Sequence, residues 1–132
     1  MKTKLFIYGI PFLIGVFLMA FIPARPFQDR QPVSLADYNR ITLAQDKKVL
    51  VYFHASWCAV CAKVKPLIDQ AETGYKGKME VLRIDTDRDK EVANEFEIDA
   101  LPVLILYHKG SRQWINVGVI EKNKLKEMIE NY

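Results

Sequence analysis

Cysteine is nearly absent from this chain: two residues in 132, Cys58 and Cys61. Histidine is as scarce, with only His54 and His108. A closed zinc site needs about four ligands drawn mostly from these two residue types, so the chain argues against one, and no metal is expected. A scaffold stapled by several disulfides is excluded outright. An excess of one charge is lacking too. Lys2 and Lys4 are the only charges before Arg25, and from there 17 basic residues face 16 acidic ones. No basic patch of the kind nucleic acid needs stands out, so no nucleic-acid partner is expected. The charged run DTDRDKE, residues 85–91, mixes both signs and reads as a solvated loop and helix start. There is no internal repeat and no low-complexity tract.

Long apolar runs are also few, and the longest lies at the N-terminus. MKTK, residues 1–4, is a short tail ahead of LFIYGIPFLIGVFLMAFI, residues 5–22, which is 18 residues without a charge. At about 1.5 Å per residue a helix of that length spans about 27 Å, close to a hydrocarbon core of about 30 Å. The apolar region of a secretory signal is shorter, roughly 7–15 residues, and ends in a small-x-small site. The best candidate for such a site, Ile22-Pro23-Ala24, is a poor one. The expectation is one uncleaved N-terminal transmembrane helix, with secretion after signal cleavage as the alternative. No cysteine lies nearby, which excludes lipoprotein anchoring. Basic residues flank the run on both sides, so their count does not set its orientation. A short tail before a single apolar run fits the N-terminus inside and the globular part outside the cytoplasm, on the periplasmic or cell-surface side. PARPFQDRQP, residues 23–32, carries three prolines and three charges and reads as a semi-extended linker.

Residues 33–132 are too few for two ordinary domains, and an apolar share of 50% suffices for one core. Ser34 with Asp37 three residues on resembles a capping box, predicting a helix over residues 35–45. VLVYF, residues 49–53, is the continuous apolar run of a strand buried on both faces. Val60, Val64, Leu67, Ile68 and Ala71 then form one stripe with helical period. Pro66 lies inside that helix and is expected to kink it. Residues 81–84 read as a strand, Val92, Ala93 and Phe96 as a short helix, and VLILY, residues 103–107, as another buried strand. A turn at residues 109–111 leads to a returning strand over residues 114–117. Ile120, Leu125, Met128 and Ile129 mark a closing helix. A further short strand around Val33 is an optional extra. This alternation implies an α/β fold, a central mixed β-sheet flanked by helices on both faces.

The two cysteines fall where strand 49–53 gives way to the long helix, with Cys58 at the helix start. Unpaired N–H groups and the positive dipole end there favour thiolate over thiol, which depresses the thiol pKa and makes Cys58 the attacking sulfur. Cys61, one turn in, is near enough to close a disulfide. Three other readings compete. A structural disulfide over so short a loop constrains the unfolded chain little. Zinc lacks ligands. Two inert buried thiols sit badly with the helix start. The local features favour redox chemistry.

At this point the chain resembles the thioredoxin family over residues 33–132. The W-C-x-x-C motif is Trp57-Cys58-Ala59-Val60-Cys61. Pro66 matches the family's helix proline, Ala100-Leu101-Pro102 the loop whose proline is cis, and Val117-Gly118 the glycine beside the substrate groove. The resemblance implies a thioredoxin fold and a thiol–disulfide oxidoreductase. Cys58 would attack a substrate disulfide and Cys61 would resolve the mixed disulfide. Trp57, Leu101, Pro102 and Gly118 would contact substrate, with Leu101 offering backbone to an extended segment and Trp57 an apolar wall. A partly buried core tryptophan is the competing reading of Trp57. No cofactor is implied beyond the Cys58–Cys61 couple. The partners would be protein disulfides or dithiols and an upstream thiol electron donor, acting on a monomer held at a membrane by residues 5–22.

The sequence also departs from the family's pattern. Ala59-Val60 stands in place of Gly-Pro, nearer to the thioredoxin-like domains of membrane thiol reductases. No cation lies between the cysteines, which disfavours a strongly oxidising variant, so the expected direction is reduction. Tyr52 occupies the place of a buried aspartate that manages the second cysteine's proton, Arg83 that of a nearby lysine, and His54 lies near a family tryptophan. Tyr52, Arg83 and His54 are therefore the proton-handling candidates, with packing the competing role of His54. The rival to an enzyme is a binding module of the same fold that uses the groove around Pro102 without redox turnover.

Overall fold

The computed structural model describes residues 30–43 and 46–132. The apolar run at 5–22 and most of the linker lie outside the described residues. Among the described residues no helix is long and apolar enough to cross a membrane.

Helix α1 spans Leu35–Thr42. Ser34 caps it, its hydroxyl accepting the Asp37 N–H at 3.1 Å and donating to Asp37 Oδ2 at 2.8 Å. The acid thus returns the bond to the hydroxyl rather than to the Ser34 N–H of a true capping box. The helix ends three residues before the expected limit. Leu43 closes it, and the Thr42 hydroxyl bonds back to the Tyr38 carbonyl at 2.9 Å, a local bond that competes with continuing the ladder.

Strand β1 (Lys48–His54) contains five consecutive buried residues, as its apolar run requires. It lies inside a four-stranded sheet with β2 (Met79–Asp85), β3 (Val103–His108) and β4 (Ser111–Val117), in the order β2-β1-β3-β4. β1 pairs parallel with β2, Lys48 opposite Met79 through His54 opposite Asp85. It pairs antiparallel with β3, Val49 opposite Tyr107 through Phe53 opposite Val103. β3 and β4 form a hairpin around Lys109 and Gly110, both at positive φ (52° and 71°), the two-residue turn whose twist matches its strands. The sheet is therefore mixed, and it is covered on both faces.

The strand pleat sorts β1 into two cores. Leu50 and Tyr52 pack with Val64 and Ile68 of α2 (Ala59–Gly74), with Leu104 and Leu106, and with Leu125 and Ile129 of α4 (Lys122–Asn131). Val49, Val51 and Phe53 face the other way, onto Tyr38 of α1, Val92 of α3 (Lys90–Glu95), Ile84, Val103 and Ile105. α2 continues through Pro66 without interruption. In helix geometry the missing Pro66 N–H leaves the carbonyl of Ala62, an exposed residue, without a partner in the ladder.

Two expectations are corrected here. No strand forms around Val33. Its N–H, the group a ladder would need, is given instead to Asp89 Oδ1 at 2.8 Å. And the run at 85–91 is not simply solvated, because Asp89 is 1% exposed. Its other oxygen accepts the Asp85 N–H at 2.8 Å. One carboxylate thus joins the segment before α1 to the β2–α3 loop, satisfying two backbone donors that would otherwise lose water.

Candidate active site

β1 delivers the chain to the site at His54, and the turn Ala55-Ser56-Trp57 brings Cys58 to the N-cap of α2. The Cys58 N–H is taken by the Ala55 carbonyl at 3.2 Å, and Cys58's own carbonyl accepts the Ala62 N–H at 3.2 Å. Cys58 has extended backbone, and its sulfur accepts the Cys61 N–H at 3.1 Å, the place a Ser or Asp oxygen fills at other helix starts. No acidic side chain stands in the first turn of α2 to offset the positive end of the dipole. Cys58 and Cys61 are joined as a disulfide with their Cα atoms 5.2 Å apart. Both belong to the core cluster under α2, Cys58 at 8% exposed and Cys61 at 3%.

Trp57 is 69% exposed, which sets aside the core reading of this side chain. Its indole Nε1 donates to Asp87 Oδ2 at 3.0 Å. Asp87 is in turn placed by its N–H, donated to Asp85 Oδ1 at 3.0 Å. An exposed aromatic face is therefore held in one orientation beside the cysteines. The sequence did not point to Asp87. Its only signal was its place in a loop that follows a strand parallel to β1.

The Leu101–Pro102 peptide is cis. The Pro102 carbonyl accepts the Gly118 N–H at 2.8 Å, so the two loops expected to flank a groove are joined directly. Gly118 has φ +87°, a conformation that disfavours any side chain, and the Asn116 amide bonds its carbonyl at 3.1 Å. Leu101 packs against the cluster that contains both cysteines. Among the described residues its backbone makes no hydrogen bond, which leaves an edge on which an extended peptide can pair. Val117 and Val119, on either side of Gly118, are exposed.

Behind the disulfide lie the three remaining candidates. Tyr52 is 2% exposed, and its hydroxyl donates to the Cys61 carbonyl at 2.9 Å. Burial pushes the phenol's pKa up, Arg83 pulls it down, and Asp69 pushes it up again. The half-buried His54 ring stacks on the Tyr52 ring, centroids 5.0 Å apart. Arg83 lies opposite Tyr52 in the sheet register. Its guanidinium is engaged by α2, donating to Glu72 Oε2 at 2.7 Å and to Asp69 Oδ1 at 2.9 Å. Asp69 is held below the usual carboxylate range, first by the Lys65 ammonium, then by Arg83, against the opposing effect of burial. The structure thus brings Tyr52, His54 and Cys61 together and turns Arg83 toward the flank of α2. Among the described residues, no group of three or more His, Cys, Asp or Glu could hold a metal ion.

The comparisons agree with this geometry. The family model described as Thioredoxin matches residues 30–131. Thioredoxin of Synechocystis sp. is 33% identical over 100 residues, covering 76% of this chain and 94% of that protein. Thioredoxin of Rickettsia felis is 31% identical over 97 residues, covering 74% and 92%. In fold, mitochondrial thioredoxin 3 from Saccharomyces cerevisiae, in its oxidized form, aligns with TM-score 0.67 at 21% identity, over 77% of this chain and 94% of that one. Sulfurs paired at a helix start, on a sheet of this topology and with relatives of this kind, make the chain a thiol–disulfide oxidoreductase, and it belongs to the thioredoxin family.

Proposed function

We propose that the chain works as a reductase of protein disulfides, tethered to a membrane through residues 5–22, with its globular part outside the cytoplasm. The observation that carries the chemical reading is the N-cap placement of Cys58. In the dithiol form, the Cys61 N–H and the positive end of α2 stabilise a Cys58 thiolate. That thiolate attacks one sulfur of a substrate disulfide, forming the Cys58–substrate bond and expelling the other substrate sulfur as thiolate. Cys61 then loses its proton and attacks the Cys58 sulfur. The second substrate sulfur leaves with the electron pair, and the Cys58–Cys61 disulfide remains. Two electrons have moved to the substrate, and an upstream thiol donor returns them to the couple. Trp57 supplies an apolar face to the substrate, while Leu101, Pro102 and Gly118 hold its extended segment. The uncharged length of residues 5–22 supports the tether.

Limiting alkylation of the reduced protein should label Cys58 first, and Cys61→Ser should accumulate a mixed disulfide with substrate. Preferential labelling of Cys61 would reverse the two roles. Cys58→Ser should abolish disulfide reduction. No disulfide reduction by the wild-type protein, with partner binding left intact by Cys58→Ser, would refute the enzymatic reading. An intact mass beginning near Arg25 in the mature protein would refute the tether.

A further inference from the structure

Resolution of the mixed disulfide requires Cys61 to stay in reach of Cys58 after their bond has been cut. What holds it there is not obvious from the helix alone. Cys61 sits in the first turn of α2, where the backbone N–H groups have no partners within the helix. The helix also lacks one rung a residue further on, because Pro66 cannot donate to the carbonyl of Ala62. The turn that carries both sulfurs is thus held to the rest of α2 by one rung fewer than an unbroken ladder would supply.

We infer that Tyr52 is a positioning residue for the resolving cysteine, its hydroxyl clamping the Cys61 carbonyl to strand β1. The inference rests on the proposed role of Cys61 as resolver. Three observations support it. The Tyr52 hydroxyl donates to the Cys61 carbonyl at 2.9 Å, across nine residues of sequence and from a different element. The Cys61 peptide is then held at both ends, because its N–H is bound by the Cys58 sulfur at 3.1 Å. When the disulfide opens, the N–H contact depends on where Cys58 moves, whereas the carbonyl contact does not. Finally, the tyrosine is itself fixed: its ring stacks on His54 and lies within the core cluster that contains both cysteines. The phenolic hydrogen is committed to a carbonyl, so Tyr52 acts on Cys61 through the backbone and not by exchanging a proton with its sulfur.

The isosteric variant Tyr52→Phe removes this hydroxyl and little else. It leaves the Cys61 carbonyl its helical acceptor role, so no buried acceptor is stranded. The measurement is stopped-flow mixing of the reduced protein with an aromatic disulfide that releases a coloured thiolate at each step. The first release reports attack by Cys58, and the second reports resolution by Cys61. Tyr52→Phe should leave the first rate unchanged and slow the second about 3- to 10-fold, the factor expected for one net hydrogen bond. The equilibrium of the couple with glutathione should shift toward the dithiol by a similar factor. Val64→Ala, which loosens the same helix face without touching this bond, should lower stability and leave the second rate as it was. Equal second-phase rates in wild type and Tyr52→Phe would overturn the inference. So would a second phase slowed as much by Val64→Ala. Failure of the underlying roles has a different signature: Cys61→Ser would then still give two releases.

Discussion

Replacing Asp89 with alanine should remove a large part of the domain's stability, although the residue lies in no strand and carries no chemistry. The magnitude follows from its two oxygens. One accepts the Val33 N–H and the other the Asp85 N–H, each at 2.8 Å, in a residue that is 1% exposed. A hydrogen bond to a charged partner contributes about 1.5–3 kcal/mol, and a stranded buried donor costs about as much. Two such bonds to one carboxylate are not independent, so the lower half of their sum is the better figure, about 3–4 kcal/mol. A domain of this size has about 5–15 kcal/mol in total. Asp89→Asn keeps one acceptor oxygen but turns an NH2 toward a backbone N–H, and should lose about 2 kcal/mol. The assay is urea unfolding of the oxidised protein at neutral pH, followed by far-UV circular dichroism, comparing midpoints at constant slope. The aspartate's bonds would be shown not to hold the fold if both variants fell within about 0.5 kcal/mol of wild type, the range of an ordinary surface change.

Two further outcomes follow from the tyrosines. No carboxylate stands at Tyr52 to take the Cys61 proton, and burial pushes the phenol's own pKa up. Resolution of a Cys58 mixed disulfide should therefore accelerate between about pH 7 and 9, as a thiol titrates, and Tyr52→Asp should flatten that profile at some cost in stability. A flat wild-type profile, shared by the mutant, would move attention to His54. Burial also raises the pKa of Tyr38, whose hydroxyl lies 3.0 Å from that of Tyr107. For both Tyr38 and Tyr52 the folded value exceeds the unfolded one near 10. Their contribution is therefore fully present below about pH 10 and is lost as pH rises, because the unfolded chain sheds these protons first. Urea midpoints should fall above that pH, and less steeply in Tyr38→Phe. Midpoints that stay level through this range would contradict the assignment of these phenols as buried and neutral.

What was legible in the sequence is what short-range periodicity encodes. Five apolar residues in a row, short and rich in β-branched and aromatic side chains, read as a strand with both faces covered, and β1 is that strand. The placement of Cys58 followed from where β1 stops and where the stripe of Val64, Ile68 and Ala71 begins. The turn at residues 109–111 was legible from Gly110 between two apolar segments, whereas the positive φ of Lys109 was not, since lysine does not favour it. What was not legible depends on partners far away in sequence. Val33 is apolar and reads as a strand, but its N–H is claimed by a carboxylate 56 residues later. Asp89 sits in a mixed charge run, where nothing local separates a buried acid from its solvated neighbours. Trp57 has the composition of a core residue, and only the bond to Asp87 shows how it stands exposed in one orientation. Arg83 gave its charge but not its direction, which the side chains of α2 decide.

Both cysteines belong to the core cluster that joins β1, α2 and α4. The chemistry of this protein is therefore carried out by two of its own structural residues. Cutting the bond between them changes the packing and the chain connectivity of that core together. Folding and reduction then form one thermodynamic cycle: whatever stabilises the oxidised fold over the reduced one lowers the reduction potential by the same free energy, about 30 mV for each 1.4 kcal/mol. Side chains such as Ile68 or Leu125, which never meet a substrate, gain in this way a route to the direction of electron flow. A collection of core variants, sorted by how differently they stabilise the two redox forms, would be at the same time a graded series of electron donors.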